Sequence, residues 1–218
     1  MNEFTTELIN RDNIVLLDGA TGTELEKNGV IMDPVCWSGF SGYTNPDILE
    51  SIHAKYIIAG ARVITTNTFA SSRINIENTN KKLNVEEVNL KTIDCAINAR
   101  NKSNNSNVKI AGSMSLSFIE NRYEFPLSES IGSYTYDELL INYREQVEFF
   151  LEKKIDLIIL EMVSHPETAK AMIQAAIESG LPIWLGVCAG PVSQNGNVLA
   201  YEAKNIYLKD VLKLISKE

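Results

Sequence analysis

Acidic and hydroxyl-bearing side chains follow several short apolar runs of this chain, and they are its candidates for chemistry. Asp18, Thr68 and Glu161 each stand where such a run gives way to polar sequence. Burial of a carboxylate directly after Leu157–Leu160 would be costly without a partner, so we expect Glu161 to have a functional role. A carboxylate in such a place can act as a general base. The pattern predicts that these three side chains converge on one site.

The apolar runs themselves have the features of buried parallel strands. They are short and continuously apolar, because strands covered on both faces need no polar alternation. In a parallel β/α barrel the chemistry lies where the strands end, which fits the polar motifs that follow. The five runs with their motifs are Leu16–Leu25, Val63–Phe69, Lys109–Ser113, Leu157–Glu161 and Ile183–Cys188.

Segments with helical periodicity lie between these runs. One helix is predicted to begin at Pro46 and to end at Gly60. Another begins at a capping box of Thr135 and Glu138. Its predicted apolar face consists of Tyr136, Leu139, Leu140, Tyr143, Val147, Phe150 and Leu151.

Two further helices complete the alternation of strands and helices. Ser164 and Glu167 predict a capping box for a helix that ends near Gly180. The last helix is predicted over Tyr207–Ile215. Repeated strand–helix units give either a barrel or a doubly wound sheet. Because the Asp18–Thr23 motif lacks the glycine spacing of the dinucleotide fingerprint, the barrel is preferred.

The sequence contains fewer recognisable strand–helix units than a complete barrel requires. Five units are recognisable, whereas a complete (β/α)8 barrel has eight strands and about 250 residues. We therefore expect residues 1–218 to form a single domain of the TIM-barrel type that lacks about the last three units. Unpaired apolar edges at Leu16–Leu17 and Ile183–Val187 then predict an oligomer or an aggregate.

The composition of the chain limits the kinds of partner that it is expected to bind. Twenty Lys and Arg residues against 28 Asp and Glu residues give a net charge of −8. This charge argues against nucleic acid and anionic membranes and favours a small-molecule site. The Met1–Glu7 segment is acidic and no apolar stretch reaches ~18 residues, so we expect a cytoplasmic protein without a signal peptide or a membrane helix.

The order of the motifs resembles that of the homocysteine S-methyltransferase family. The resemblance runs from Ile14 onward and rests on Asp18–Leu25, on Pro46–Gly60 followed by Ala61–Phe69, and on the strand that ends in Glu161. Asp18–Leu25 and Asn67–Phe69 are specific as an ordered pair. The family transfers a methyl group from an onium or folate donor to the thiol of homocysteine, which yields methionine. The resemblance thus implies homocysteine and a methyl donor as small-molecule partners.

The resemblance also assigns candidate substrate-binding residues. It implies that Asp18 and Gly19 contact homocysteine and that Thr68 and Glu161 contact its amino-acid end, while Asn67 is a further strand-end candidate. An α-ammonium group needs acceptors such as a carboxylate, and an α-carboxylate needs amide or hydroxyl donors, so the set is chemically sensible. Alternatives remain open: Asp18 as a turn residue or helix N-cap, and Asn67 as a loop cap.

Zinc is the cofactor that the resemblance implies, held by three cysteine thiolates in Gly-x-Asn-Cys and Gly-Gly-Cys-Cys motifs. Neither motif occurs in this sequence. Cys36, Cys95 and Cys188 lack metal-ligand spacing, and their odd number argues against a disulfide framework. We expect buried or inert thiols, no metal ligand, no catalytic residue and no zinc bound by this chain. The chain alone, as a truncated member, is expected to be inactive.

Several interpretations remain open on the sequence alone. The Met32–Tyr43 segment is either a lid over the strand ends or a surface loop packed on Trp37. His53 and His165 are expected to be solvated or helix-capping. A rival function is a non-catalytic amino-acid-binding remnant or a partner-dependent module, and a third is a different barrel enzyme with Glu161 as its base.

Overall fold

The computed structural model describes residues 14–115, 134–201 and 203–213, in which helices alternate with strands. The main strands are β1 (Val63–Thr65), β2 (Lys109–Ser115), β3 (Leu157–Val163) and β4 (Ile183–Val187). The helices before β2 are α1 (Thr21–Lys27), α2 (Ser41–Thr44), α3 (Pro46–Ile58), α4 (Arg73–Glu77) and α5 (Val85–Lys102). The later elements are α6 (Tyr136–Glu152), α7 (Pro166–Glu178), β5 (Ala189–Val192), β6 (Val198–Ala200), β7 (Ala203–Tyr207) and α8 (Leu208–Leu212).

The main sheet is parallel, with the strand order β1-β2-β3-β4. The predicted first strand lies beside β1, as its place in the alternation requires, but it is reduced to one parallel bridge between Leu17 and Val63. The backbone N–H of Asp18 donates to the carbonyl of Val63 at 3.0 Å. The described chain is therefore a mixed α/β fold with a parallel sheet.

The two faces of the sheet differ in what covers them. One face packs against helices in the main hydrophobic core, which includes Ile64, Ile110 and Ile158. Gly112 faces this side, where an added Cβ would lie 2.7 Å from the ring of Phe150. The other face carries a smaller group of apolar side chains, which we call the inner cluster: Val63, Ala111, Leu157 and Ile159, with Val15 and Trp184 packed against it.

Helix α6 begins where its sequence predicts and buries most of its predicted apolar face. The predicted capping box is confirmed, since Thr135 Oγ1 accepts from the N–H of Glu138 and the Glu138 carboxylate accepts from the N–H of Thr135. Most of the predicted apolar face is buried. The predicted burial is wrong for Tyr136 and Leu151, however, because these side chains are 45% and 44% exposed at the two ends of the helix. The predicted start of α3 at Pro46 is confirmed, and Gly60 follows its end with a φ of +102°.

The start of α7 differs from the prediction. Pro166 is the first helical residue, and His165 is the N-cap, with no side-chain capping bond among the described residues. The Ser164 hydroxyl instead pairs with Nδ1 of His165 at 3.0 Å. The capping box of Ser164 and Glu167 is therefore wrong, because the helix begins one residue later than the box requires, with Pro166 at its first position.

The end of the described chain contains a feature that the sequence analysis missed. Strands β5, β6 and β7 form a separate antiparallel sheet, and Gly196 with a φ of +81° lies in the turn between β5 and β6. The last helix is Leu208–Leu212, so Tyr207 belongs to β7 and not to a helix. The predicted helix end at Ile215 lies outside the described residues. Within the described ranges, no helix is long and apolar enough to cross a membrane.

Candidate functional site

Three polar side chains stand above the inner cluster at the carboxyl ends of neighbouring strands. Side chains alternate between the faces of a strand, so residues two apart share a face. Thr65, Ser113 and Glu161 each lie two residues after a member of the inner cluster. The sheet therefore carries a polar layer directly above an apolar one, on the face opposite the main helices.

Asp18 joins this layer through Thr65. One carboxylate oxygen of Asp18 accepts from the backbone N–H of Thr65 at 2.7 Å, and the other accepts from Thr65 Oγ1 at 2.9 Å. Burial raises the pKa of Asp18 to about 6. The hydrogen bonds from Thr65 act against this rise, and the negative charge of Glu161 adds to it. The N-cap of α1 is Ala20, without a side-chain capping bond in the described chain, so the N-cap alternative for Asp18 is wrong.

Glu161 is the second carboxylate of the layer. The hydroxyl of Ser113 donates to Glu161 Oε1. Burial raises the pKa of Glu161, and the bond from Ser113 partly offsets that rise. The charge of Glu161 acts on Asp18, so these carboxyls are close enough to interact although 143 positions separate them in the sequence. Two desolvated acids, one of which is further disfavoured as an anion by the charge of the other, form a site suited to a cationic group.

Gly19 stands exposed beside Asp18 with the ring of Tyr56 against it. A Cβ at this position would lie 2.9 Å from the Tyr56 hydroxyl oxygen. A larger residue would require the ring to move, and so the glycine keeps the backbone next to Asp18 accessible.

Thr68 is fully buried, and its hydroxyl has protein partners. Its Oγ1 donates to the carbonyl of Ser113 at 2.7 Å and lies 2.8 Å from Thr66 Oγ1. Its carbonyl accepts from Gln146 Nε2 at 2.7 Å. The Thr68 side chain thus links the loop after β1 to β2.

Asn67 is likewise buried and is bonded to Ser38. Its Nδ2 donates to the Ser38 carbonyl at 2.7 Å, and its Oδ1 accepts from the Ser38 hydroxyl at 3.0 Å. This pair fixes the 32–43 segment against the end of β1. The ring of Trp37 in the same segment contacts Phe69 edge to face, with ring centroids 6.4 Å apart. The segment therefore lies next to the strand-end residues and is firmly packed there.

Both histidines are buried, so the expected solvated role is wrong for both, although His165 does occupy the N-cap position of α7, without a side-chain capping bond among the described residues. His53 is 0% exposed and, within the described structure, neither of its ring nitrogens has a hydrogen-bond partner. Burial lowers its pKa to about 4. His165 is 7% exposed, and burial lowers its pKa as well. The solvated role was wrong because an isolated histidine carries no sequence signal of burial.

The thiols of Cys36 and Cys95 do not fit a zinc site. Cys36 is completely buried, its thiol donates to the carbonyl of Asn75 at 3.1 Å, and burial raises its pKa to about 12. Cys95 belongs to a different hydrophobic cluster, and burial raises its pKa to about 12 as well. Metal binding requires the thiolate form, which both environments disfavour. Among the described residues no three His, Cys, Asp or Glu side chains form a potential metal site.

Sequence reasoning did not assign the residues that link the predicted ones. These residues are Thr65, Thr66 and Ser113, the last of which appears in the sequence pattern only as the end of the third apolar run. Their bonds to Asp18, Thr68 and Glu161 span up to 48 positions. The available signal was the two-residue spacing from each apolar strand residue, which places a side chain on the inner face.

Comparisons with known proteins support the resemblance drawn from the motifs. Betaine–homocysteine S-methyltransferase 1 of Sus scrofa is 28% identical over 189 residues, covering 85% of this chain and 63% of that protein. The Danio rerio protein of the same name is 26% identical over 187 residues, covering 85% of this chain and 43% of its own length. The chain thus spans less than two thirds of either relative.

Solved structures agree at the level of the fold. The oxidised form of the homocysteine methyltransferase MmuM from Escherichia coli matches with a TM-score of 0.76 and 21% identity, covering 99% of this chain and 73% of that one. The metallated form matches with a TM-score of 0.75. The family model described as homocysteine S-methyltransferase matches residues 15–204. This chain therefore belongs to the homocysteine S-methyltransferase family.

Proposed function

We propose that this chain forms the homocysteine-binding part of a homocysteine S-methyltransferase, and that its parallel strands are one side of a (β/α)8 barrel. The observation that carries the proposal is the pair of carboxyls of Asp18 and Glu161, which interact on one face of the sheet. Family membership supplies the substrate class, and the carboxyl pair supplies chemistry that suits an amino acid.

In this proposal the α-ammonium group of homocysteine binds beside Glu161 and Asp18. A cation there offsets the desolvation that raises the pKa of both carboxyls, and it favours their ionised forms. The exposed backbone at Gly19 is the proposed donor to the α-carboxylate of the ligand. Asn67 and Thr68 contribute by holding the surrounding backbone, because their side-chain polar groups are bonded to Ser38 and Ser113.

Methyl transfer requires groups beyond those that this chain provides. In the family, zinc makes the homocysteine sulfur a thiolate able to attack a methyl group. The buried thiols of Cys36 and Cys95 do not fit that role. We therefore propose that the chain binds homocysteine and that a polypeptide carrying Gly-x-Asn-Cys and Gly-Gly-Cys-Cys is needed for the reaction.

One observation favours a second candidate, a barrel enzyme that uses Glu161 as its base. Burial raises the pKa of this carboxyl, as it does for many catalytic acids and bases. The two candidates differ in what they require of a ligand: homocysteine binding depends on an ammonium group, whereas general-base catalysis depends on an acidic proton.

Calorimetry with matched ligands tests the proposal. We expect L-homocysteine to bind the chain and mercaptobutyrate, which lacks only the amino group, to bind at least about tenfold more weakly. Glu161→Gln should abolish most of this preference, whereas Glu148→Gln, at an exposed position of α6, should leave it unchanged. Equal affinity for the two ligands in the wild-type chain would refute an ammonium site.

A further inference from the structure

The strand that carries Glu161 is irregular at this residue. Between β3 and β4, Leu160 pairs with Leu185 and the next pair is Val163 with Val187. Three steps along β3 thus match two along β4, which is the signature of a β-bulge. On its other side β3 stays in register, with Glu161 opposite Ser115 of β2. The extra residue therefore changes the direction of β3 at Glu161 while its pairing with β2 is kept.

Met162 occupies the bulge in a conformation that its side chain disfavours. Its φ is +54°, in the left-handed region, where a Cβ meets the backbone. Lys154 has a nearly identical φ of +53°, but it follows the end of α6, where left-handed residues are common. A left-handed methionine inside a strand is unusual, and such strain persists only where the surroundings impose it.

A second element acts on the Glu161 side chain from β2. The Ser113 hydroxyl donates to Glu161 Oε1, and Ser113 itself is 0% exposed. Its backbone is held on both sides: its N–H donates to Thr66 Oγ1 at 3.1 Å, and its carbonyl accepts from Thr68 Oγ1 at 2.7 Å. The hydroxyl is therefore a fixed donor that holds one oxygen of the carboxylate in place.

We infer that Ser113 and the left-handed bulge at Met162 are positioning elements that together aim the Glu161 carboxylate at the bound ligand. This inference rests on the proposed function for the identity of the ligand, the ammonium group of homocysteine. The hydrogen bond from Ser113 holds the side-chain torsions of Glu161, and the bulge sets the direction of the β3 backbone at Glu161. The Thr66–Thr68 hydroxyl pair acts one step further away by fixing Ser113, which explains why the strand-end motif after β1 is rich in threonine.

The test for Ser113 is the titration of Glu161 by carbon NMR in the full chain labelled at glutamate carboxyls. Ser113→Ala removes a donor to the ionised carboxylate, so the pKa of Glu161 should rise and homocysteine affinity should fall by about tenfold. Ser113→Thr keeps a hydroxyl and should restore most of both values. An unchanged Glu161 titration in Ser113→Ala would overturn the role of Ser113.

The test for Met162 compares glycine and valine at two left-handed positions. Met162→Gly and Lys154→Gly should each be more stable to denaturant than the matching valine variant, because glycine adopts this backbone conformation without strain and a β-branched residue disfavours it. Met162→Gly keeps the bulge and should retain homocysteine affinity, which should fall by about fivefold in Met162→Val. The Lys154 pair should bind homocysteine equally well. Equal affinity within the Met162 pair would overturn the role of the bulge.

These readouts separate the inference from the proposed function. If the wild-type chain does not bind homocysteine, the proposed function fails. The Glu161 titration still decides the role of Ser113, and the carboxyl chemical shift of Glu161 in Met162→Val, compared with Met162→Gly, still decides the role of the bulge. A changed shift confined to the valine variant supports the inference, and identical shifts contradict it.

Discussion

The carboxylate of Asp18 accepts hydrogen bonds from both the backbone N–H and the hydroxyl of Thr65, 47 positions away. This pair anchors the loop after the first apolar run to the end of β1. It also leaves a buried acid whose pKa of about 6 lies well above the ordinary value of 3.8. The site therefore contains a group that titrates close to neutral pH, and its titration can be measured through stability.

The first prediction follows from the raised pKa of Asp18. The folded chain holds the proton of Asp18 more tightly than the unfolded chain does, so folding stability falls as pH rises from about 4 to about 6. Asp18→Asn removes this dependence. Between pH 4 and pH 7 its free energy of unfolding, relative to wild type, should increase by about 2 kcal/mol. Urea titrations across this range measure the change, and a difference independent of pH would contradict it.

The second prediction concerns Asn67, a strand-end candidate for substrate binding whose side chain bonds to Ser38 in the structure. Asn67→Ala leaves the buried Ser38 hydroxyl without its acceptor and removes one of two donors to the Ser38 carbonyl, so it should lower the free energy of unfolding by about 2 kcal/mol. Asn101→Ala, at an exposed position of α5, should change it by less than about 0.5 kcal/mol. Wild-type stability combined with lost homocysteine affinity would instead make Asn67 a direct ligand contact.

The third prediction concerns thiol reactivity and zinc. Cys36 and Cys95 are buried, and both have a pKa of about 12, so they should react with Ellman's reagent only on unfolding. Cys188 is partly exposed and should react first in the native chain. The dialysed chain should hold no more zinc than the Cys188→Ser variant. Stoichiometric zinc that disappears on this substitution would show that Cys188 belongs to a metal site.

The fourth prediction concerns the edge of the sheet at Leu16–Leu17. Leu17 makes one bridge to Val63 and is 48% exposed, and an apolar edge of this kind is a template for association. We expect the isolated chain to associate with increasing concentration in light scattering, and Leu17→Lys to reduce association. Ile31→Lys, at a 94% exposed position, is the matched control and should have no such effect. A clean wild-type monomer at all concentrations would refute this expectation.

Local sequence signals predicted the parallel alternation and the start of α6, because apolar runs and capping boxes act over a few residues. They failed where two signals competed, as at α7, where Pro166 determines the start in place of Ser164. Sequence signals also failed at the β5–β7 sheet, because its strands are too short to show a clear alternation of apolar and polar residues. The Asn195–Gly196 pair was the available signal of a hairpin.

The sequence predicts the location of the candidate site but not the hydrogen bonds within it, because sequence patterns are local and these bonds are not. Strand ends meet at one edge of a parallel sheet, so the location of Asp18 and Glu161 follows from the strand pattern. The partners of Thr68 and Asn67 do not, because Ser113 and Ser38 are 45 and 29 positions away and only the folded packing brings them together. The same holds for the bulge at Met162, which depends on the register between β3 and β4.

A crystal structure of the chain with L-homocysteine is the most direct test of the shared carboxyl site. We predict that the amino nitrogen of the ligand lies within hydrogen-bond distance of the Glu161 carboxylate, with Asp18 on the same face of the sheet. Homocysteine bound elsewhere, or with its amino group directed away from both carboxylates, would contradict it.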